Sequence, residues 1–80
     1  MFHYVYILRS SKNDDIYIGR SDNLKRRIKY HDDGFVSATK SNRPWKLIYY
    51  EAYKNKKDAI MRERQLKNHR AKLDLKAQLR

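Results

Sequence analysis

An α+β fold on a small antiparallel sheet is predicted by three features of the 80-residue sequence. Two apolar, aromatic-rich runs stand close together near the N-terminus. A third run, "WKLIYYEAY", opens the second half, and helix-period segments follow both the early pair and this third run. The expected order is β-β-α-β-α-α, in a single domain over residues 1–80. A chain this short buries only about 60–65% of the surface it exposes when unfolded, so few elements must share one modest core.

The first run, "HYVYILRS", carries Tyr4, Tyr6 and Leu8 on one face and Val5 and Ile7 on the other. Both faces are apolar, which places this strand at the centre of the sheet. "SKNDD" is a polar turn cluster and "IYIGR" a second strand, so residues 3–20 read as an antiparallel hairpin. A loop with an even number of residues would put Tyr6 and Tyr17 on the same face, and an odd loop would separate them. The even loop is expected. Asp22 is the expected N-cap of a helix running to about Asp32, with Leu24, Ile28 and His31 as its inward stripe. At about 100° per residue Arg27 falls beside that stripe, whereas Lys25, Arg26 and Lys29 point away. Snorkelling of Arg27 is the alternative to a functional placement.

Residues 32–44 show no period and read as a long loop in which Lys40 and Arg43 suit phosphate contacts. The third strand follows, and Asn55, with Asp58 three residues on, caps a helix to about Lys67. Ala59, Ile60 and Leu66 form the apolar stripe of this helix, and Glu63 falls inside it. A carboxylate there needs a reason, and an ion pair with Lys67 at i,i+4 is the simple one. "NHR" interrupts the pattern. "AKLDLKAQL" then gives a short last helix, with Leu73, Leu75 and Leu79 as docking residues.

Twenty Lys and Arg against nine Asp and Glu leave a formal net charge of +11. Residues 1–40 hold eight cations and five anions, net +3, and residues 41–80 hold twelve and four, net +8. Such an excess points to a polyanionic partner, nucleic acid before an anionic membrane surface. The absence of cysteine excludes disulfides and thiolate zinc sites and fits a reducing, cytoplasmic setting. No apolar run approaches the roughly 18 residues of a membrane span.

Two tyrosines, an arginine beside a helix stripe and a glutamate on a second helix have a common use in phosphodiester hydrolysis. That reaction needs a deprotonated water, neutralisation of charge on the phosphoryl oxygens and relief of charge on the leaving oxygen. "YVYIL", "YIG", "DNLKRRI", "RPWKLIYYEAY" and "AIMRERQLK", in this order over residues 3–70, resemble the GIY-YIG nuclease family in its small stand-alone form. Each tripeptide alone is unspecific, whereas the ordered series is specific. The first motif departs from the family pattern by having Tyr4 in place of glycine.

The resemblance implies a metal-dependent endonuclease acting on DNA rather than RNA, in repair or nucleic-acid processing. Tyr6 and Tyr17 would line the active site, Arg27 would contact the scissile phosphate, and Glu63 would hold a single Mg2+ or Mn2+ ion bound weakly without substrate. His31 falls where relatives place a tyrosine or histidine. Whether a tyrosine or His31 is the base stays open: a phenol titrates near 10 and needs lowering by cations, whereas imidazole, near 6.5, would serve unaided. His31 could instead cap its own helix. Gly19 keeps the backbone open, and Arg20, Lys40, Arg43 and Lys67 are assigned to the substrate side. Larger relatives carry recognition domains that 80 residues cannot contain, so a protein partner could supply specificity. A binding module without catalysis and an adaptor using "WKLIYYEAY" are the competing classes.

Overall fold

In the computed structural model, which describes residues 1–78, the N-terminal run forms β1 (His3–Ser10) and "IYIGRS" forms β2 (Ile16–Ser21). The third run forms β3 (Trp45–Tyr53), and the sheet order is β2-β1-β3, antiparallel throughout. The strand that is apolar on both faces is therefore the central one, as expected. Pairing of Tyr6 with Gly19 and of Leu8 with Tyr17 puts Tyr6 and Tyr17 on one face, the outcome of the even loop. At the hairpin turn Asp14 takes a left-handed conformation (φ 59°), which a short polar side chain tolerates.

The two faces of the sheet are covered separately. Helix α1 (Leu24–Asp32) lies over the face where Tyr6, Leu8 and Trp45 are buried, and Leu24, Ile28 and Leu47 pack against them. Helix α3 (Lys56–Lys67) covers the opposite face through Ala59 and Leu66 against Val5, Ile7, Ile16 and Ile18. Each fully buried aliphatic side chain contributes about 1.5–3 kcal/mol, so this second cluster anchors the only helix that carries Glu63. The register of β3 against β1 shifts between Ile7 and Leu8, leaving Ile48 as an extra residue. This bulge lets Tyr50 oppose Tyr6 while Leu47 opposes Leu8 on the same face.

Four local expectations change. The cap of α1 is Asn23, whose side chain accepts the Arg26 N–H at 3.1 Å, not Asp22; Ser21 Oγ fixes the turn by accepting the Asn23 N–H at 3.0 Å. Within the expected loop 32–44, Ser37–Lys40 form a four-residue helix, α2, that buries Thr39. No apolar period announces so short a turn. The last helix, α4 (His69–Gln78), begins two residues earlier than expected, because only Asn68 (ψ 132°) breaks the chain path. Finally, Leu75 packs on the core but Leu73 is exposed, since residues two apart lie about 200° apart on a helix; Leu79 lies outside the described residues. Asn55 caps α3 as expected, accepting the Lys57 N–H at 2.9 Å.

"WKLIYYEAY" is only partly core. Trp45 is buried and its indole N–H donates to Thr39 O at 2.7 Å, whereas Tyr49 and Tyr50 are exposed. Glu51 faces α3 and binds Arg62 through two hydrogen bonds, at 2.9 and 3.1 Å, and accepts from Tyr49 and Tyr53. Burial alone would raise its carboxyl, but these donors, Arg62 foremost, pull it down to about 2. Among the described residues no helix is long and apolar enough to cross a membrane.

Candidate functional site

The site is built where β1, β2 and α1 meet around a missing side chain. A Cβ at Gly19 would overlap the Tyr6 hydroxyl, lie 2.5 Å from Tyr6 Cζ and 2.9 Å from Tyr17 Cε2. Glycine is required there by space and not by backbone conformation. The Tyr6 ring occupies the gap and points its hydroxyl across β2, where α1 can reach it.

A directed chain of hydrogen bonds runs through that hydroxyl. Arg27 Nε donates to Tyr6 Oη at 3.3 Å, and Tyr6 Oη lies 2.8 Å from His31 Nε2. His31 Nδ1 is 2.7 Å from Thr39 Oγ1, which in turn donates to Val36 O at 3.3 Å. Because the Thr39 proton is committed to a carbonyl, Thr39 accepts from Nδ1–H; Nε2 is then the acceptor for the Tyr6 proton. Each group has one consistent role. Thr39 is the member that sequence reasoning missed, because nothing in "SATK" marks it and only the turn of α2 brings it to His31.

Burial sets the protonation states. Tyr6 is 0% exposed, and desolvation pushes its phenol up to about 12 despite the hydrogen bond from Arg27; repulsion from Tyr17 and Glu63 adds to the rise. His31, also 0% exposed, is lowered to about 4 by burial and then by the Arg27 charge. The resting pair is a neutral phenol and a neutral imidazole. His31 thus neither caps its helix through its side chain nor keeps the ordinary imidazole value that would make it a base unaided. Arg27 is raised, chiefly by its hydrogen bond to Tyr6. Tyr17 is half-buried and stacks edge-on against His31 at 5.0 Å between ring centres.

The imidazole has a consequence for stability. A histidine whose folded value lies below its unfolded value of about 6.5 binds its proton more readily in the unfolded chain. Its contribution is complete above that value and is lost as the pH falls from about 6.5 towards 4, by at most about 3 kcal/mol. Glu51 acts in a separate window, between about 4.5 and 2. Urea unfolding of wild type and His31→Gln at pH 7, 5 and 4 should show a flatter pH dependence in the variant over this range. Parallel curves would mean that His31 does not carry the upper window.

Glu63 projects from α3 at the edge of β2. Lys67 Nζ lies 3.0 Å from its Oε2 and Arg20 Nε 3.4 Å from its Oε1. The i,i+4 pair anticipated from sequence is therefore present, joined by a second cation from β2. Arg20 Nε is buried and, although within charge range of Glu63, makes no hydrogen bond. Glu63 also adds, as the smallest of the causes, to the rise of the Tyr6 phenol. Among the described residues no group of three or more His, Asp or Glu side chains could hold a metal. A divalent ion at Glu63 would have to take the places of the Lys67 and Arg20 cations beside its two carboxylate oxygens.

The remaining cations sit elsewhere. Lys40 is exposed at the end of α2. Arg43 donates to Lys40 O at 3.0 Å and Asp32 O at 3.2 Å and covers Gly34, so its guanidinium ties the loop to the end of α1. A phosphate would have to compete with these carbonyls.

A family model of the GIY-YIG catalytic domain matches residues 2–76. The chain belongs to the GIY-YIG family. This is a nuclease family whose substrates are nucleic acids and whose members generally use a divalent metal. A UPF0213 protein of Clostridium perfringens is 41% identical over 66 residues, covering 81% of this chain and 70% of that protein. A UPF0213 protein of Staphylococcus haemolyticus is 36% identical over 75 residues, covering 92% and 90%. The solution NMR structure of a UPF0213 protein from Bacillus halodurans superposes with a TM-score of 0.58 at 35% identity, covering 94% of this chain and 82% of that one. The α+β architecture inferred from sequence is thus shared with a solved relative of this GIY-YIG chain.

Proposed function

We propose that this GIY-YIG chain is a single-domain, metal-dependent endonuclease that hydrolyses phosphodiester bonds in DNA, in repair or nucleic-acid processing. The observation that carries this reading is the convergence of Tyr6, Tyr17 and Arg27 on the gap at Gly19, with Glu63 ion-paired to the next residue of β2, Arg20. The charge of +11 supplies the attraction for a polyanion.

The roles follow from exposure. Arg27 lies at the edge of the α1 stripe and can present guanidinium N–H groups to the non-bridging oxygens of the scissile phosphate. Tyr17 is the less buried phenol and lies against Arg27; as phenolate it would take the proton of the attacking water, and solvent would protonate the leaving oxygen. Tyr6, His31 and Thr39 are positioning residues: their chain holds the Arg27 guanidinium through Tyr6 Oη and touches no substrate. Glu63 would hold Mg2+ or Mn2+, which when bound offsets charge on the phosphate and leaving oxygens. Water adds to phosphorus, the phosphorus–oxygen ester bond breaks, and the products are one phosphate and one hydroxyl end. Arg20 and Lys67, paired with Glu63 in the free protein, would turn to flanking phosphates when a metal ion takes that carboxylate, and Lys40 would serve a more distant one. Specificity beyond this comes from a protein partner.

Incubation of supercoiled and branched DNA with Mg2+ or Mn2+ tests the reading. Wild type should nick, and Glu63→Ala should lower the rate by about 10²-fold or more, the usual cost of losing an electrostatic stabiliser. Equal nicking by both proteins, or none by wild type with either metal, would refute a metal nuclease centred on Glu63. If wild type binds DNA in a salt-dependent way without cutting it, the chain is a binding module on the same fold.

A further inference from the structure

On the other flank of α1 from Arg27 lies an open groove of about 480 Å3, lined by Tyr4, Tyr50, Leu24, Ile28, Lys25 and Asp22. Its size falls within the roughly 300–1,000 Å3 of small-ligand sites. Tyr50 is 53% exposed, although it occupies the strand position directly opposite Tyr6. Tyr4 packs against it edge-on at 6.0 Å, and Phe2, 45% exposed, extends the aromatic row at 6.4 Å from Tyr4. Tyr4 thus adds a second ring to the floor of the groove.

We propose that this groove binds an unpaired nucleobase of the substrate, stacked on Tyr50 and Tyr4, one or two nucleotides from the scissile phosphate. The inference rests on the nuclease reading above and names the form of nucleic acid that the site accepts. Three observations favour a base over other occupants. The rings are continuous with the candidate site, because Tyr4 and Tyr50 flank Tyr6 on the same sheet face. A helix is about 10 Å across, so a strand passing over the first turn of α1 spans from Arg27 to the groove in that distance. Asp22 lines the groove and repels phosphate, while Lys25 lines the same groove and can hold the backbone. As an acceptor only, the Asp22 carboxylate favours cytosine and adenine, whose exocyclic amino group offers two donor hydrogens, over thymine, whose edge offers the single N3–H.

Binding of labelled single-stranded dC, dA and dT oligonucleotides and of duplex DNA, measured by anisotropy with metal chelated, tests this. Tyr50→Ala should weaken single-strand binding about 5- to 100-fold with the salt slope unchanged, since a stack carries no charge. Tyr50→Phe should retain affinity, Lys25→Ala should lower the slope by about 0.7, and Asp22→Asn should narrow the dC over dT preference. Photocrosslinking of 5-iodocytosine should map to Tyr50 or Tyr4. Unchanged binding by Tyr50→Ala, equal weakening on duplex DNA, or wild-type self-association that Tyr50→Ala abolishes would overturn the groove. Each of these can occur with wild-type nicking intact, which leaves the nuclease reading standing. Wild type that neither binds nor nicks any nucleic acid removes both.

Discussion

Arg27→Ala is expected to lower DNA cleavage by about 10²- to 10⁴-fold while DNA affinity falls only a few-fold. The helix carries Lys25, Arg26, Arg27 and Lys29 within five positions, yet of these only Arg27 reaches the Tyr6 hydroxyl. Arg26 is exposed, so Arg26→Ala removes a general attraction and should lower affinity with little change in the rate at saturating DNA. Arg27→Lys keeps the charge but not the planar fork, and should recover a small part of the rate. Single-turnover cleavage with saturating protein separates these effects, because it reads the chemical step without the binding term. Comparable rate losses in Arg27→Ala and Arg26→Ala would show that the helix acts as an undifferentiated basic surface.

Gly19→Ala is expected to destabilise the fold by about 1–3 kcal/mol and to remove cleavage together. The added methyl would coincide with the Tyr6 hydroxyl, and that ring cannot retreat, being held by His31 and Arg27 and fully buried. Something must move: either β2 shifts from β1, at the cost of ladder hydrogen bonds, or Tyr6 leaves and Arg27 loses its anchor. Urea denaturation reads the first cost and the cleavage assay the second. Gly19→Ala combined with Tyr6→Phe removes the clashing oxygen but leaves Cζ of the ring 2.5 Å from the added methyl and His31 Nε2 without its partner, so it should recover little of the stability and none of the activity. A single Gly19→Ala variant with wild-type stability would mean that the gap is filled differently from the structure described above.

Much of this was legible in the residues. The alternation in "HYVYILRS" marked a strand buried on both faces, and the strand proved central because only a central strand can bury both faces. Helical angles separated Arg27 from its neighbours and set Glu63 inside an apolar stripe, where the structure finds it held by Lys67 and Arg20. The docking set Leu73, Leu75 and Leu79 rests on composition, which is weaker than period, and of its described members Leu75 packs on the core while Leu73 is exposed. Thr39 and the Glu51 network had no signal at all. Both depend on pairs distant in the chain: Thr39 meets His31 through a four-residue helix, and Glu51 meets Arg62 across β3 and α3.

By itself the sequence determined the strands and main helices, the basic charge and which side chains would lie at the sheet–helix boundary, because period and composition are local properties. Only the tertiary structure decided the protonation of the tyrosine and the histidine. Their identities suggested candidate bases, and burial raises the Tyr6 phenol to about 12 and lowers the His31 imidazole to about 4, so that both rest neutral. Desolvation is a property of what surrounds a group, and the surroundings of Tyr6 come from β2, α1 and α2, which meet only in the folded chain.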